Sequence, residues 1–424
     1  MKFLFSRLFN HPLAAFVLLG MLSACGGDAP STDNTQAVPP PPPMPPPVAY
    51  EGAIIIPGDG SAPITAGTIL VQAGMITAVG NPEAVEVPAN ALRIDLAGAT
   101  VMPMMVDTHV HLNTEMDALI QDLRDRVYFG VSAAMSLGMD NVDTVFEARE
   151  ENIPGAARYF TAGRGITRPE PGRTEAPHWV DTPEQAREAV RAEAARGVDI
   201  IKIWVDDRDA QYPKMTPELY GAVIDEAHNN GLRVTAHIFT LEDAKGLLEA
   251  GVDSFAHGVR DQDIDDEFVA MVQARPDVVL VPNLPNRGVP TGYGWLAGFI
   301  TTEQLQRLQS QTENPQAQAA FGIQARNLDR LNRAGMKIAM GTDGNTAYGA
   351  HIEIQDMVEA GMSTMEAIVA ATSASAEFLG MDDTGILAPG MRADFIVLDA
   401  NPLDGITNTR RIRDIYHGGE KVER

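Results

Sequence analysis

The chain has a single cysteine, Cys25, among 424 residues. One thiol excludes an internal disulfide, a thiolate zinc knuckle and an iron–sulfur cluster, so any metal must be held by His, Asp, Glu or a less usual group. Positive charge is also scarce: 32 Lys and Arg stand against 57 Asp and Glu, a formal net charge of −25. Binding phosphate needs concentrated Lys and Arg, so nucleic acid and anionic membrane surfaces are disfavoured as ligands. Long apolar runs are missing as well. Leu13–Leu22 (LAAFVLLGML) is too short to cross a membrane as a helix. With 45% hydrophobic residues, the chain is nonetheless too apolar to be disordered.

The N-terminus reads as an address followed by a tether. Lys2 and Arg7 precede the short apolar run, the pattern of a secretory signal over residues 1–24. Leu22-Ser23-Ala24-Cys25 is similar to a bacterial lipobox, in which the cysteine is lipidated; an ordinary signal peptide with an incidental Cys is the other reading. Gly26 and Gly27, with no Asp directly after Cys25, are similar to sorting signals that imply the outer membrane in many Gram-negative bacteria. The expected location is therefore a bacterial cell envelope, periplasmic or surface facing, with membrane contact only through the lipid anchor. Residues 25–49 form the tether. Pro39–Pro47 contains eight prolines, a polyproline II spacer of about 28 Å at roughly 3.1 Å per residue.

The body alternates helical stretches with short apolar runs, and five joints share one form: Gly130-Val131, Gly197-Val198, Gly231-Leu232, Gly251-Val252 and Gly335-Met336. Gly just past a helix takes the left-handed cap without a Cβ penalty. The runs that follow, such as 199–205 (DIIKIWV), 232–238 (LRVTAHI), 254–259 (SFAHGV) and 337–343 (KIAMGTD), are nearly continuously apolar, as parallel strands covered on both faces are. With 102–112, 131–138, 159–164 and 278–284 they make eight strands. This predicts an α/β fold, a (β/α)8 TIM-like barrel over residues 102–382. Residues 50–101 and 383–424 instead carry short β-rich pieces punctuated by Gly, Pro and Asn, and are expected to build one small β-sandwich domain from both chain ends.

His109 and His111 lie two apart at the end of the first barrel strand, on one side of it, so both imidazoles can reach one metal. Three further runs end in a metal-capable residue at the same depth: His237, His257 and Asp343. A barrel brings such strand ends around one mouth. Lys202, inside Ile200-Ile201-Lys202-Ile203-Trp204-Val205, is a charge in a buried strand. Either it reaches Asp206 or Asp207 or snorkels to solvent, or burial and nearby cations leave a neutral amine able to capture CO2 as a carbamate.

These residues together resemble the amidohydrolase superfamily, and within it the imidazolonepropionase-related, prolidase-like binuclear branch. The resemblance runs through Val106-Asp107-Thr108-His109-Val110-His111, Ile201-Lys202-Ile203-Trp204, Ala236-His237, the stretch 250–258 (AGVDSFAHG), Gly341-Thr342-Asp343 and the tail 385–399 (GILAPGMRADFIVLD). It implies two divalent metal ions, zinc by default. His109 and His111 would hold the buried ion, His237 and His257 the other. A CO2-derived carbamate on Lys202 would bridge them, and Asp343 would be both ligand and proton shuttle. The implied reaction is cleavage of a C–N (amide) bond in a small peptide-like substrate, a dipeptide or N-acyl amino acid, by a metal-bridging hydroxide. A cyclic amide, lactone or phosphotriester at the same site is an alternative, and a non-catalytic envelope lipoprotein or binding module is another. His351, just after Asp343, and Arg164, Arg168 and Arg260 are candidate substrate-binding residues, His351 with a structural role as the equal alternative, the arginines because a guanidinium can grip a carboxylate in two places. Each of those arginines can equally pair with an acid. A homo-oligomer is left open.

Overall fold

Two of the barrel helices show how the glycines stop them. Pro183–Arg196 starts on a capping box at Thr182 and stops at Gly197 (φ 77°), and Leu241–Ala250 starts on the Thr240 side chain and stops at Gly251 (φ 97°). Each left-handed cap turns the chain back into a buried strand. The structure is a computed structural model that describes residues 44–151 and 153–424; the expected signal, Cys25 and the tether up to residue 43 lie outside the described residues. The first strand, Val48–Ile55, begins inside the stretch expected to be tether.

The barrel strands are short and parallel. Met105–Val110, Val131–Ser136 and Arg158–Thr161 form one sheet. Ile201–Val205, Val234–Ile238, Ser254–Ala256, Val279–Val281 and Lys337–Ile338 form the main part of a seven-stranded sheet. Backbone bonds link the two sheets at both edges: Asp199 N donates to Thr161 O at 2.9 Å, Thr108 N to Met340 O at 3.0 Å, and His111 N to Gly344 O at 3.1 Å. The architecture is thus an α/β, TIM-barrel-like fold, in which regular pairing does not run unbroken around eight strands as the sequence predicts. The breaks have a physical cause. The strands at one edge shrink to two and three residues, and the chain leaves extended geometry where it presents polar side chains.

Strands from both chain ends pair in a single eight-stranded sheet that includes Val48–Ile55, Ile64–Gln72, Thr100–Pro103, Phe395–Leu398 and Ile412–His417. Two strands separate Tyr50 from Tyr416 in the sheet order, about 14 Å in a flat sheet. Their rings are 4.7 Å apart, with Phe395 against both. The sheet therefore curls until its inner face closes on itself, and Met75 bridges to Arg392 where the ends meet. It is not set apart as its own unit, since residues Met44–Arg424 are one compact body. Met104 N donates to Asp394 O at 3.0 Å, which fastens this sheet to the entry of the strand that carries His109.

Candidate active site

Register sets the depth of the key side chains. Lys202 pairs with Thr235, and His237 pairs with Ala256. Lys202 and His237 thus face the same side of the sheet, with Lys202 about 6.6 Å deeper at roughly 3.3 Å per residue. His257 follows Ala256, where strict alternation would turn it towards the helices. Its left-handed backbone (φ 79°) breaks the pleat, and its ring lies 4.7 Å from that of His237. Asp343 (φ 51°) and Asn283 (φ 44°) are left-handed too. Such strain, of order 1–3 kcal/mol each, concentrates where a side chain must be aimed.

Asp343 is the hub. Its Oδ1 lies 3.1 Å from His109 Nε2 and 3.0 Å from His111 Nε2, and its Oδ2 lies 3.5 Å from His257 Nε2. Ligand atoms of His109, His257 and Asp343 all fall within 4.8 Å of one another. His109 Nδ1 donates to Asn283 Oδ1 at 2.9 Å, and burial lowers the ring's pKa to about 4. A neutral ring with its proton on Nδ1 turns a bare Nε2 lone pair on the Asp343 carboxylate. Two acceptors at that distance repel unless a cation lies between them, and His109 Nε2 is buried with no hydrogen-bond partner. The residues present fit a metal ion.

Burial pushes the Asp343 carboxyl up, and only protonated forms of His109, His111 and His257 around it hold it well below the usual carboxylate range; neutral rings leave that place to a cation. Burial brings the Lys202 amine down to about 7, against the pull of Asp343 and helped by Arg260 and Arg208. Lys202 Nζ is buried without a partner. The alternative in which it reaches Asp206 or Asp207 is not met. Asp206 Oδ2 instead lies 2.9 Å from His237 Nε2 and accepts from Arg208 Nη1 at 2.6 Å.

The substrate candidates separate cleanly. His351 is fully buried away from the mouth, with Nε2 donating to Phe129 O at 3.0 Å and Nδ1 lying 3.0 Å from the Thr409 hydroxyl. Its expected place in the pocket is corrected to a structural one: the helix Ala350–Glu359 carries it towards Phe129 and Trp295. Arg164 is held by Ala176 O and Pro177 O, and Arg168 pairs with Asp181, so both are engaged in their own loop. Arg260 Nε and Nη2 are buried without partners. Three contributors carried no role in the sequence reading: Asn283, Arg208 and Asp107. Asp107 accepts from Thr342 N at 3.0 Å and Thr342 Oγ1 at 2.8 Å and so braces the turn before Asp343. The only sequence signal for it was its place in Asp-x-His-x-His.

The family described as "Amidohydrolase family" matches residues 100–422. This chain belongs to the amidohydrolase family. A proposed prolidase from Bifidobacterium longum is 31% identical in sequence, with a TM-score of 0.73 over 90% of this chain and 96% of that one. Enamidase of Eubacterium barkeri is 26% identical over 387 residues, covering 83% of this chain and 86% of the relative. Ochratoxinase of Aspergillus niger is 24% identical over 439 residues, covering 88% of this chain and 86% of the relative. As an amidohydrolase, the chain is a hydrolase acting on carbon–nitrogen bonds of small molecules.

Proposed function

We propose that this amidohydrolase cleaves the amide bond of a small peptide-like substrate, a dipeptide or an N-acyl amino acid, with two divalent ions in the mouth of the barrel. The observation that carries the reading is the Asp343 carboxylate ringed by the Nε2 atoms of His109, His111 and His257. His109, His111, His237, His257 and Asp343 would hold the ions, zinc by preference for a His and carboxylate set. When bound, the ions polarise the amide carbonyl and acidify the attacking water. Lys202, with about half of its amines neutral near pH 7, can add its Nζ to CO2 with release of one proton, and the carbamate so formed would be a further carboxylate ligand. Asp343 takes the proton of the attacking water at a carboxylate oxygen and returns it to the leaving nitrogen. Asn283 keeps the His109 proton on Nδ1 throughout.

Metal analysis of the purified protein, together with a hydrolysis screen of dipeptides and N-acyl amino acids, tests this. Close to two equivalents of metal and amide turnover are expected; turnover of lactones or phosphotriesters alone would replace the amide assignment. Lys202→Ala should lose tight binding of the metal pair, and full occupancy in that variant would leave the lysine a structural role. On the likeness of Leu22-Ser23-Ala24-Cys25 to a lipobox, we place the enzyme in the bacterial envelope, tethered through lipidated Cys25. Cys25→Ala should move it from the membrane to the soluble fraction.

A further inference from the structure

Arg260 stands three residues after His257, and its backbone N donates to Phe239 O at 2.8 Å, two residues after His237. It is thereby fixed on the rim between the two strands that carry those histidines. Its guanidinium sits 5.9 Å from the Phe239 ring centre, with Nε and Nη2 buried and unpartnered. The other arginines at the mouth are all engaged: Arg164 with two carbonyls, Arg168 with Asp181, Arg173 with Glu170, and Arg208 with Asp206 and Glu170. Arg260 has no such ion pair among the described residues. Its field reaches His237, His257 and Lys202, so its charge lies beside the reacting groups. A guanidinium stays protonated when partly buried; Asp343 and Asp206 favour its charge from beyond ion-pair distance, but neither gives the buried N–H groups at Nε and Nη2 an acceptor, and buried donors left without one are unfavourable. Arg126 also lacks an ion pair among the described residues but lies in the helix before Phe129; among the arginines at the mouth of this acidic chain, the open donors of Arg260 point to an anion that arrives with the ligand.

We infer that Arg260 is the anchor for a free carboxylate on the substrate, adjacent to the scissile amide. The planar fork of the guanidinium matches a carboxylate in two places, and Phe239 beneath it limits its motion. This deepens the proposed function and rests on it: amides of amino acids with a free carboxylate are preferred, and neutral amides of the same size are poor ligands.

Binding separates this inference from the hydrolysis reading. The probes are N-acetyl-L-phenylalanine against N-acetylphenethylamine, and N-acetyl-L-leucine against N-acetylisoamylamine. Each pair differs by the carboxylate alone. Dissociation constants are measured calorimetrically on the metal-loaded full chain carrying Asp343→Asn, which slows turnover. A carboxylate preference of at least ten-fold is expected in at least one pair. Arg260→Gln should erase it through weaker binding of the acid, and Arg260→Lys should restore part of it, with metal content equal to the parent's in both. A preference that survives Arg260→Gln overturns the inference, and so does the absence of any preference, including failure of all four probes to bind. Loss of metal from Arg260→Gln also overturns it, because the arginine then serves the metal ligands. A carboxylate preference that depends on Arg260, in a wild-type protein that hydrolyses no amide, would sink the proposed reaction and leave the anchor standing.

Discussion

His109 and His351 are buried to the same degree, and both have pKa values driven below the ordinary imidazole value chiefly by burial. Their nitrogens are treated in opposite ways. His351 has both ring nitrogens engaged inside the protein, by Phe129 O and the Thr409 hydroxyl. His109 has one nitrogen fixed by Asn283 and the other turned on a carboxylate it has no proton to meet. A buried ring satisfied on both sides ties elements together, while one with a lone pair left over, facing other lone pairs, marks a place for a cation. The difference separates site from scaffold more sharply than burial or the sign of a pKa shift does.

The largest test of this contrast falls on the carboxylate in the histidine ring. Asp343→Asn should keep the fold and lower kcat on an amide substrate by roughly 10²–10⁴, the usual worth of a positioned acid–base group. Steady-state kinetics on metal-loaded protein, with a thermal melt as control, would show it; near-wild-type turnover would assign the proton to another group. Next in size is the scaffold ring. His351→Ala opens a cavity and strands the Phe129 carbonyl, so the protein should lose about 2–4 kcal/mol by denaturant unfolding. Metal content and turnover per folded molecule should stay as they were. Loss of metal with unchanged stability would break the distinction between the two histidines.

The strands, and the His and Asp side chains towards their ends, were legible for one reason: left-handed glycines after helices, such as Gly197, Gly231 and Gly251, announce an apolar run whose far end faces the mouth. The supporting residues were not legible. Asn283 meets His109 through a left-handed turn in the loop after Val279–Val281, and Arg208 reaches Asp206 from a turn in which Arg208, Asp209 and Ala210 all have positive φ. Periodicity carries no trace of such turns. Sequence left His351 open between the pocket and a structural role, because closeness to Asp343 along the chain does not say which way the helix Ala350–Glu359 turns the ring. The curl of the terminal sheet was hidden likewise, since it depends on Tyr50, Phe395 and Tyr416 meeting across strands far apart in sequence.

Asn283 offers a smaller effect that sharpens the comparison from the site's side. Asn283→Ala removes the acceptor that holds the His109 proton on Nδ1. Metal affinity should fall 10–100-fold in a chelator competition, the usual effect of losing a hydrogen bond behind a metal ligand. Unchanged affinity would mean that the ring is held by packing alone.

The smallest effect is a slope in pH. Folded His351 has a pKa lowered from 6.5 to about 3 by burial, with Arg410 adding to the effect. Between those values the unfolded chain binds a proton that the folded chain does not, so stability must fall as pH drops below 6.5 and continue to fall towards 3. The contribution is at most about 1.4 kcal/mol per pH unit. Asp356 works in the other direction: burial raises its pKa from 3.8 to about 7, so the folded chain holds the extra proton in that window and gains stability as pH falls. The two partly cancel in the whole protein, and only a difference curve isolates the histidine. Denaturant unfolding of metal-free wild type and His351→Gln from pH 8 to pH 5 should give a gap that is constant above 7 and narrows below 6.5, as the wild type alone pays for keeping the ring neutral. A gap that stays constant to pH 5 would mean that His351 becomes protonated in place, and that its two partners do not require the neutral ring.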